Sequence, residues 1–106
     1  MSELIKVVIK RPGSEAEIDY IENELEALQN IVGGYIETVT ISQDAVIICN
    51  EEGRLIGLPY NCTFCGVDLV GTILVAGVKG EEFTNVSLEL EDLRTWFTLK
   101  KREEAW

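Results

Sequence analysis

The chain opens on Leu4-Ile5-Lys6-Val7-Val8-Ile9-Lys10, a β-branched stretch closed by Arg11-Pro12-Gly13-Ser14, residue types that favour a tight turn. The pattern predicts a first strand that ends there. Residues 15–21 then alternate acid with apolar side chain up to Tyr20, which predicts a half-buried strand returning antiparallel to the first; a helix starting at Ser14 is the rival reading. The hairpin is preferred because Asn23 and Glu26 have the spacing of a capping box, in which each side chain bonds an orphan N–H at a helix start. A helix over residues 24–32 follows. Leu25, Leu28, Ile31 and Val32 fall on one of its faces, and Gly33-Gly34 supplies a residue able to take the left-handed conformation that ends helices.

Residues 35–41 read as a strand, 42–44 as a turn and 45–49 as a continuous apolar run, hence a central strand covered on both faces. Asn50 and Gly53 fit a type I turn, with Gly53 at positive φ, leading into a short strand over residues 54–56. Residues 57–61 form a loop, and 62–68 are too mixed to assign. Residues 69–78 read as a second central strand, in which Gly71 marks a bulge or a close backbone approach. After a turn at 79–82 and an edge segment at 83–86, Ser87 suits the N-cap of a helix over residues 88–101. Acids come early in that helix and Arg94, Lys100, Lys101 and Arg102 late, complementing its dipole. Leu93, Trp96, Phe97 and Lys100 share one side, and Trp106 is read as frayed.

These elements define one α+β domain over residues 1–106: a mainly antiparallel sheet of five to six strands, one short helix packed on it, and a C-terminal amphipathic helix. That last helix packs on the sheet or on another subunit, and its two aromatics point to a homo-oligomer, most simply a homodimer.

Composition supports a single cored domain, since 46% of the 106 residues are apolar and 26% charged. No histidine is present, which removes imidazole bases, Ser-His and Cys-His pairs and histidine zinc sites. With 19 acidic and 9 basic side chains the formal charge is −10, so direct binding to nucleic acid is not expected. The charge is unevenly placed along the chain. Between Arg11 and Arg54 there is no Lys or Arg, whereas Glu15, Glu17, Asp19, Glu22, Glu24, Glu26, Glu37, Asp44, Glu51 and Glu52 lie there. The first six, on the first hairpin and helix, are the candidate acidic binding surface, able to draw a basic partner as a decoy for nucleic acid. A solvated face accounts for the same acids.

Cys62-Thr63-Phe64-Cys65 has C-x-x-C spacing, but one pair gives two ligands, and a tetrahedral site would need Cys49 with a carboxylate, or a second subunit's pair. The redox alternative needs a helix N-terminus after the first Cys, and Phe64-Cys65-Gly66-Val67 is a poor helix start. No catalytic residue, metal site or cofactor is assigned, so the expectation is a protein that is not an enzyme. No run reaches the roughly 18–20 apolar residues that span a bilayer, and the start lacks a basic-then-apolar leader, so no membrane association and a cytoplasmic location are expected.

Three segments carry a resemblance. The segment Leu25-Glu26-Ala27-Leu28-Gln29-Asn30-Ile31-Val32-Gly33-Gly34-Tyr35-Ile36-Glu37 is followed by Cys49-Asn50-Glu51-Glu52-Gly53-Arg54-Leu55-Ile56-Gly57-Leu58-Pro59-Tyr60-Asn61 and by Asp68-Leu69-Val70-Gly71-Thr72. Together they resemble the domain of unknown function 3846 family over residues 4–86. The resemblance implies a setting in bacteria, their phages and mobile elements, and a small accessory protein with no established catalytic residues. It therefore implies a non-catalytic binder in the host bacterial cytoplasm that inhibits a host defence protein through contacts with that protein's basic surface. The alternative is an oligomeric sponge for a small or cyclic nucleotide, held at a loop comprising Asn50, Gly53, Arg54 and Asn61. A thiol-dependent metal-binding protein is the third reading.

Overall fold

Strands that are apolar without alternation need cover on both faces, and the two stretches with this character hold the middle of the sheet. The computed structural model describes residues 3–97, which form β1 (Leu4–Lys10), β2 (Glu17–Glu22), α1 (Leu25–Val32), β3 (Ile36–Ser42), β4 (Ala45–Asn50), β5 (Tyr60–Phe64), β6 (Val67–Val70), β7 (Ile73–Lys79), β8 (Glu82–Thr84) and α2 (Leu90–Trp96). The main sheet runs β2-β1-β7-β4-β3, with β8 paired to the part of β7 that β1 does not reach; every pairing is antiparallel. β5 and β6 form a separate antiparallel hairpin. The fold is the α+β class expected, with six strands in the main sheet and the short helix packed on it.

Three layers result. On one face Ile5, Val7, Ile9, Val46, Ile48, Leu74 and Ala76 pack under Leu28 and Val32 of α1. On the other, Val8, Ile47, Ile73 and Val75 pack against Cys62 and Leu69 of the hairpin and Leu93 and Phe97 at the end of the described chain. Alternate residues of β4 and β7 thus feed two cores, which is why neither strand alternates in polarity.

α1 lies close to its expected bounds but is not capped as expected. Its N-cap is Glu24, with no side-chain cap, and Asn23 instead donates its Nδ2 to the Phe83 carbonyl oxygen at 2.9 Å, tying the helix entry to β8. Leu25, placed on the inner face by the periodicity, is exposed because it precedes the turn that reaches the sheet. The exit is as expected: Gly33 adopts φ 84°, and its N–H and that of Gly34 both donate to the Gln29 carbonyl oxygen.

The segment after β4 departs from expectation. Residues 54–56 are not a strand. The Gly53 N–H donates to the Asn50 carbonyl, as the predicted turn requires, but the chain continues in helical turns. Leu58 N–H donates to Gly53 and Gly57 N–H to Arg54, the paired bonds of a Schellman ending, with Gly57 at φ 74°. Gly53 itself is not among the positive-φ glycines; it is buried, and a Cβ there would lie 2.8 Å from Val70 Cγ2, so close approach rather than backbone freedom calls for glycine.

Residues 69–78 are likewise not one strand. The chain bends at Gly71, whose φ of 71° and distance of 2.7 Å between an added Cβ and Leu58 Cδ1 make it the close approach anticipated there. The unassigned residues 62–68 supply most of the β5-β6 hairpin, turning through Cys65 and Gly66, both at positive φ. α2 begins at Leu90 with Glu89 as N-cap, not at Ser87, and ends at Trp96 with Phe97 already extended. Phe97 enters the core beside Phe64, ring centroids 5.9 Å apart, while Trp96 meets the same ring edge-on and stays partly exposed. The readings made for Lys100, Lys101, Arg102 and Trp106 lie outside the described residues.

Candidate functional site

β2 ends one side of the main sheet and β3 the other, so each offers an edge with no further described strand. The register places Ile9, Val7 and Ile5 opposite Glu17, Asp19 and Ile21, which sets those β2 side chains on the α1 face; Ile18, Tyr20 and Glu22 take the opposite face beside Val8, Lys6 and Leu4. Of the six β2 residues only Ile21 is buried, in the core under α1. The half-buried strand expected from alternation is in fact mostly exposed.

All six candidate acids are exposed. Glu15 precedes β2, Glu17 and Asp19 lie along it, Glu22 ends it, and Glu24 and Glu26 start α1. They trace one rim from the β1–β2 turn to the helix entry. Arg11 Nη1 meets Glu17 Oε1 at 3.1 Å, an exposed pair that offsets part of the charge. Asp19 Oδ1 accepts the Tyr20 N–H at 2.7 Å, a carboxylate held against the strand's own backbone. The remaining acids of the base-free stretch are elsewhere: Glu37 is on β3, Asp44 in the β3–β4 turn, and Glu51 and Glu52 follow β4. Four strand spacings of about 4.8 Å separate the two edges by roughly 19 Å, beyond a Debye length of about 8 Å. The base-free stretch places Glu17, Asp19 and Glu22 on one edge strand and Glu37 on the other. What sequence reading missed at β2 is its apolar component: Leu4, Ile18 and Tyr20 are 62%, 43% and 60% exposed on one face. Ile18 and Tyr20 alternate with acids, a signal of burial, but β2 is an edge strand and both are exposed among the described residues.

The candidate ligand loop is not assembled as one site. Asn50, Gly53 and Arg54 share a corner, whereas Asn61 lies beneath β1. Asn50 is buried, donates Nδ2 to the Val32 carbonyl oxygen at 3.1 Å and accepts the Glu52 N–H at 2.7 Å, satisfying an orphan carbonyl at the end of α1. Arg54 donates Nη2 to the Asp68 carbonyl oxygen. The cavity beside them, about 270 Å3, is lined by Glu37, Glu51 and Asp68 as well as Arg54 and Cys49. Burial, reinforced by the Glu37 carboxylate and opposed by Arg54, raises the Cys49 thiol pKa. Asn61 is fully buried and donates Nδ2 to the carbonyl oxygens of Lys10 and Gly71.

The C-x-x-C pair is divided by the hairpin: Cys62 is fully buried and Cys65 exposed in the turn, and all three cysteines are free thiols. The segment is strand, turn, strand, so no helix N-terminus stabilises a thiolate, and burial pushes the Cys62 pKa up to about 11 against the lowering effect of Lys10. Among the described residues no three Cys, Asp or Glu side chains gather as metal ligands. No helix among them is long and apolar enough to cross a membrane.

The fold and its exposed acidic edge define a small three-layer antiparallel α+β domain. The chain belongs to the family described as domain of unknown function (DUF3846), whose model matches residues 5–98 and so extends into α2, past the blocks that carry the resemblance. No curated protein and no solved structure matches the chain.

Proposed function

We propose that the chain is a non-catalytic binding protein that takes an extended basic segment of a partner protein along the open side of β2. One juxtaposition supports this reading: an edge strand carries exposed Glu17, Asp19 and Glu22 together with exposed Ile18 and Tyr20, continued by Glu15, Glu24 and Glu26. A partner strand would bond to the β2 backbone, set Lys or Arg opposite the carboxylates, and rest apolar side chains on Ile18 and Tyr20. Acids on an edge also repel a second copy of the same edge, so the surface favours a basic partner over self-pairing. In the setting the resemblance implies, a phage or mobile-element accessory protein in a bacterial cell, the partner is a host defence protein whose basic surface otherwise holds nucleic acid. The nucleotide-sponge reading has less behind it, because the Arg54 corner sets one guanidinium among three carboxylate residues and Asn61 is spent elsewhere.

An NMR titration with a peptide of alternating Lys and Val tests the reading. The largest amide shifts are expected in β2, with affinity falling at least about tenfold between about 0.05 M and about 0.5 M salt. The double variant Asp19→Lys/Glu24→Lys should lose binding while keeping its unfolding temperature. Shifts centred away from β2, or binding indifferent to salt, would overturn it.

A further inference from the structure

We propose that the cleft between the β1–β2 turn and α2 binds a small monocarboxylate with an apolar body, its carboxylate on Lys10 Nζ and Arg94 and its body on Ala16 and Phe97. The cleft has a volume of about 280 Å3 and is lined by Lys10, Gly13, Ser14, Glu15, Ala16, Arg94 and Phe97. It shares only Glu15 with the β2 docking surface and no residue with the Arg54 corner.

Lys10 is the unusual member. It is only 8% exposed, yet among the described residues its ammonium has no carboxylate partner within 4.0 Å; its described bond is to the Ser14 carbonyl oxygen at 2.8 Å. Bonded to one neutral acceptor in a partly buried setting, the ammonium retains two N–H donors and a charge with no described carboxylate beside it. Arg94 approaches from α2 and is fixed by two bonds, Nε to the Ala16 carbonyl oxygen at 3.0 Å and Nη1 to Glu91 Oε1 at 2.9 Å. Glu91 is 81% exposed, so that ion pair is solvent-screened and leaves most of the guanidinium charge available. Two cations on different elements thus meet at one concavity, in a molecule whose formal charge is −10. Glu15 also lines the mouth, and it disfavours a doubly charged phosphate more than a single carboxylate. The floor is apolar, with Ala16 and Phe97 both buried in the core that α2 covers. The volume lies below the roughly 300–1,000 Å3 typical of pockets for drug-sized ligands, which limits the ligand to a small molecule.

Sodium benzoate is a suitable probe, with benzyl alcohol as its uncharged counterpart and inorganic phosphate as the competing anion. Titration of the full chain, followed by NMR, should show saturable benzoate binding with shifts at Lys10, Ala16 and Arg94 and none with benzyl alcohol. Lys10→Met and, separately, Arg94→Gln should each weaken binding about tenfold or more, the usual effect of deleting a charge-assisted hydrogen bond. Arg94→Gln removes a partly buried α2 side chain and its bond to the Ala16 carbonyl oxygen, so it is read together with its unfolding temperature and remains informative if Lys10→Met fails to fold. The proposal is overturned by absence of benzoate binding, by equal binding of benzyl alcohol, by phosphate binding without benzoate binding, or by benzoate affinity unchanged in Arg94→Gln.

Discussion

Asn61 Nδ2 lies 2.6 Å from the Gly71 carbonyl oxygen and 2.8 Å from that of Lys10, so a single buried amide clamps the end of β1 to the corner between β6 and β7. Its two N–H groups are both used, while its Oδ1 has no partner among the described residues. Asn61→Ala would remove both bonds to these carbonyls, each worth about 0.5–1.5 kcal/mol, and relieve one unsatisfied oxygen. The expected net loss is roughly 1–3 kcal/mol by urea unfolding. A loss below about 0.5 kcal/mol, the scale of an ordinary surface substitution, would show that the clamp is not a stabilising element.

Gly57 and Gly71 separate backbone strain from crowding. Their φ values, 74° and 71°, are nearly the same, but a Cβ at Gly57 meets nothing within 4 Å, whereas at Gly71 it meets Leu58 Cδ1 at 2.7 Å. Gly57→Ala should cost only the left-handed penalty, about 1–2 kcal/mol. Gly71→Ala should cost that and a further 1–3 kcal/mol or so for overpacking. In a double-mutant cycle, Leu58→Ala should be less damaging in the Gly71→Ala background than alone. Strict additivity would place the cost of Gly71→Ala in the backbone.

The same residues show what was legible beforehand. Val46-Ile47-Ile48 and Leu74-Val75-Ala76 lack alternation because both faces are covered, and that alone placed two central strands. Gly33 ended a helix for a reason confined to its neighbours. Asn50 and Asn61 were read as ligand groups because a buried amide is indistinguishable in sequence from a binding amide until its partners, 18 and 51 positions away, are in place. The break at Gly71 was missed because Leu69 and Ile73, on either side of it, serve the same core. Contiguity of the six acids was visible; that Glu37 and Asp44 lie on the far edge depends on strand order, a long-range property. The Lys10 cleft escaped notice because β1 presents Lys10 on the same face as Val8, and only the fold brings Arg94 to it.

Thiol labelling should resolve the C-x-x-C pair into unlike members. Cys65 is exposed in the hairpin turn and Cys62 is fully buried with a raised pKa. An aromatic disulfide reagent at neutral pH should react first with Cys65, whereas Cys62 should wait for opening of the hairpin and accelerate with denaturant. Comparable native rates for Cys62 and Cys65, read by peptide mass mapping, would contradict the burial of Cys62 under the sheet.

Alkaline pH should weaken the fold through the same thiol. In the unfolded chain Cys62 ionises near 9.0, and in the folded protein burial, partly opposed by Lys10, moves this to about 11. Above pH 9 the unfolded state therefore binds fewer protons than the folded one, and stability falls as pH rises. The contribution is complete below pH 9 and is lost as pH rises through about 11. Cys49, also raised, acts in the same direction. The informative quantity is the difference in unfolding free energy between the natural protein and Cys62→Ala, which isolates this thiol. That difference should be constant below pH 9 and shrink by on the order of 2 kcal/mol as pH approaches 11. A difference independent of pH would mean that the folded state admits water to Cys62, and with it that the β5-β6 hairpin does not seal this side of the sheet.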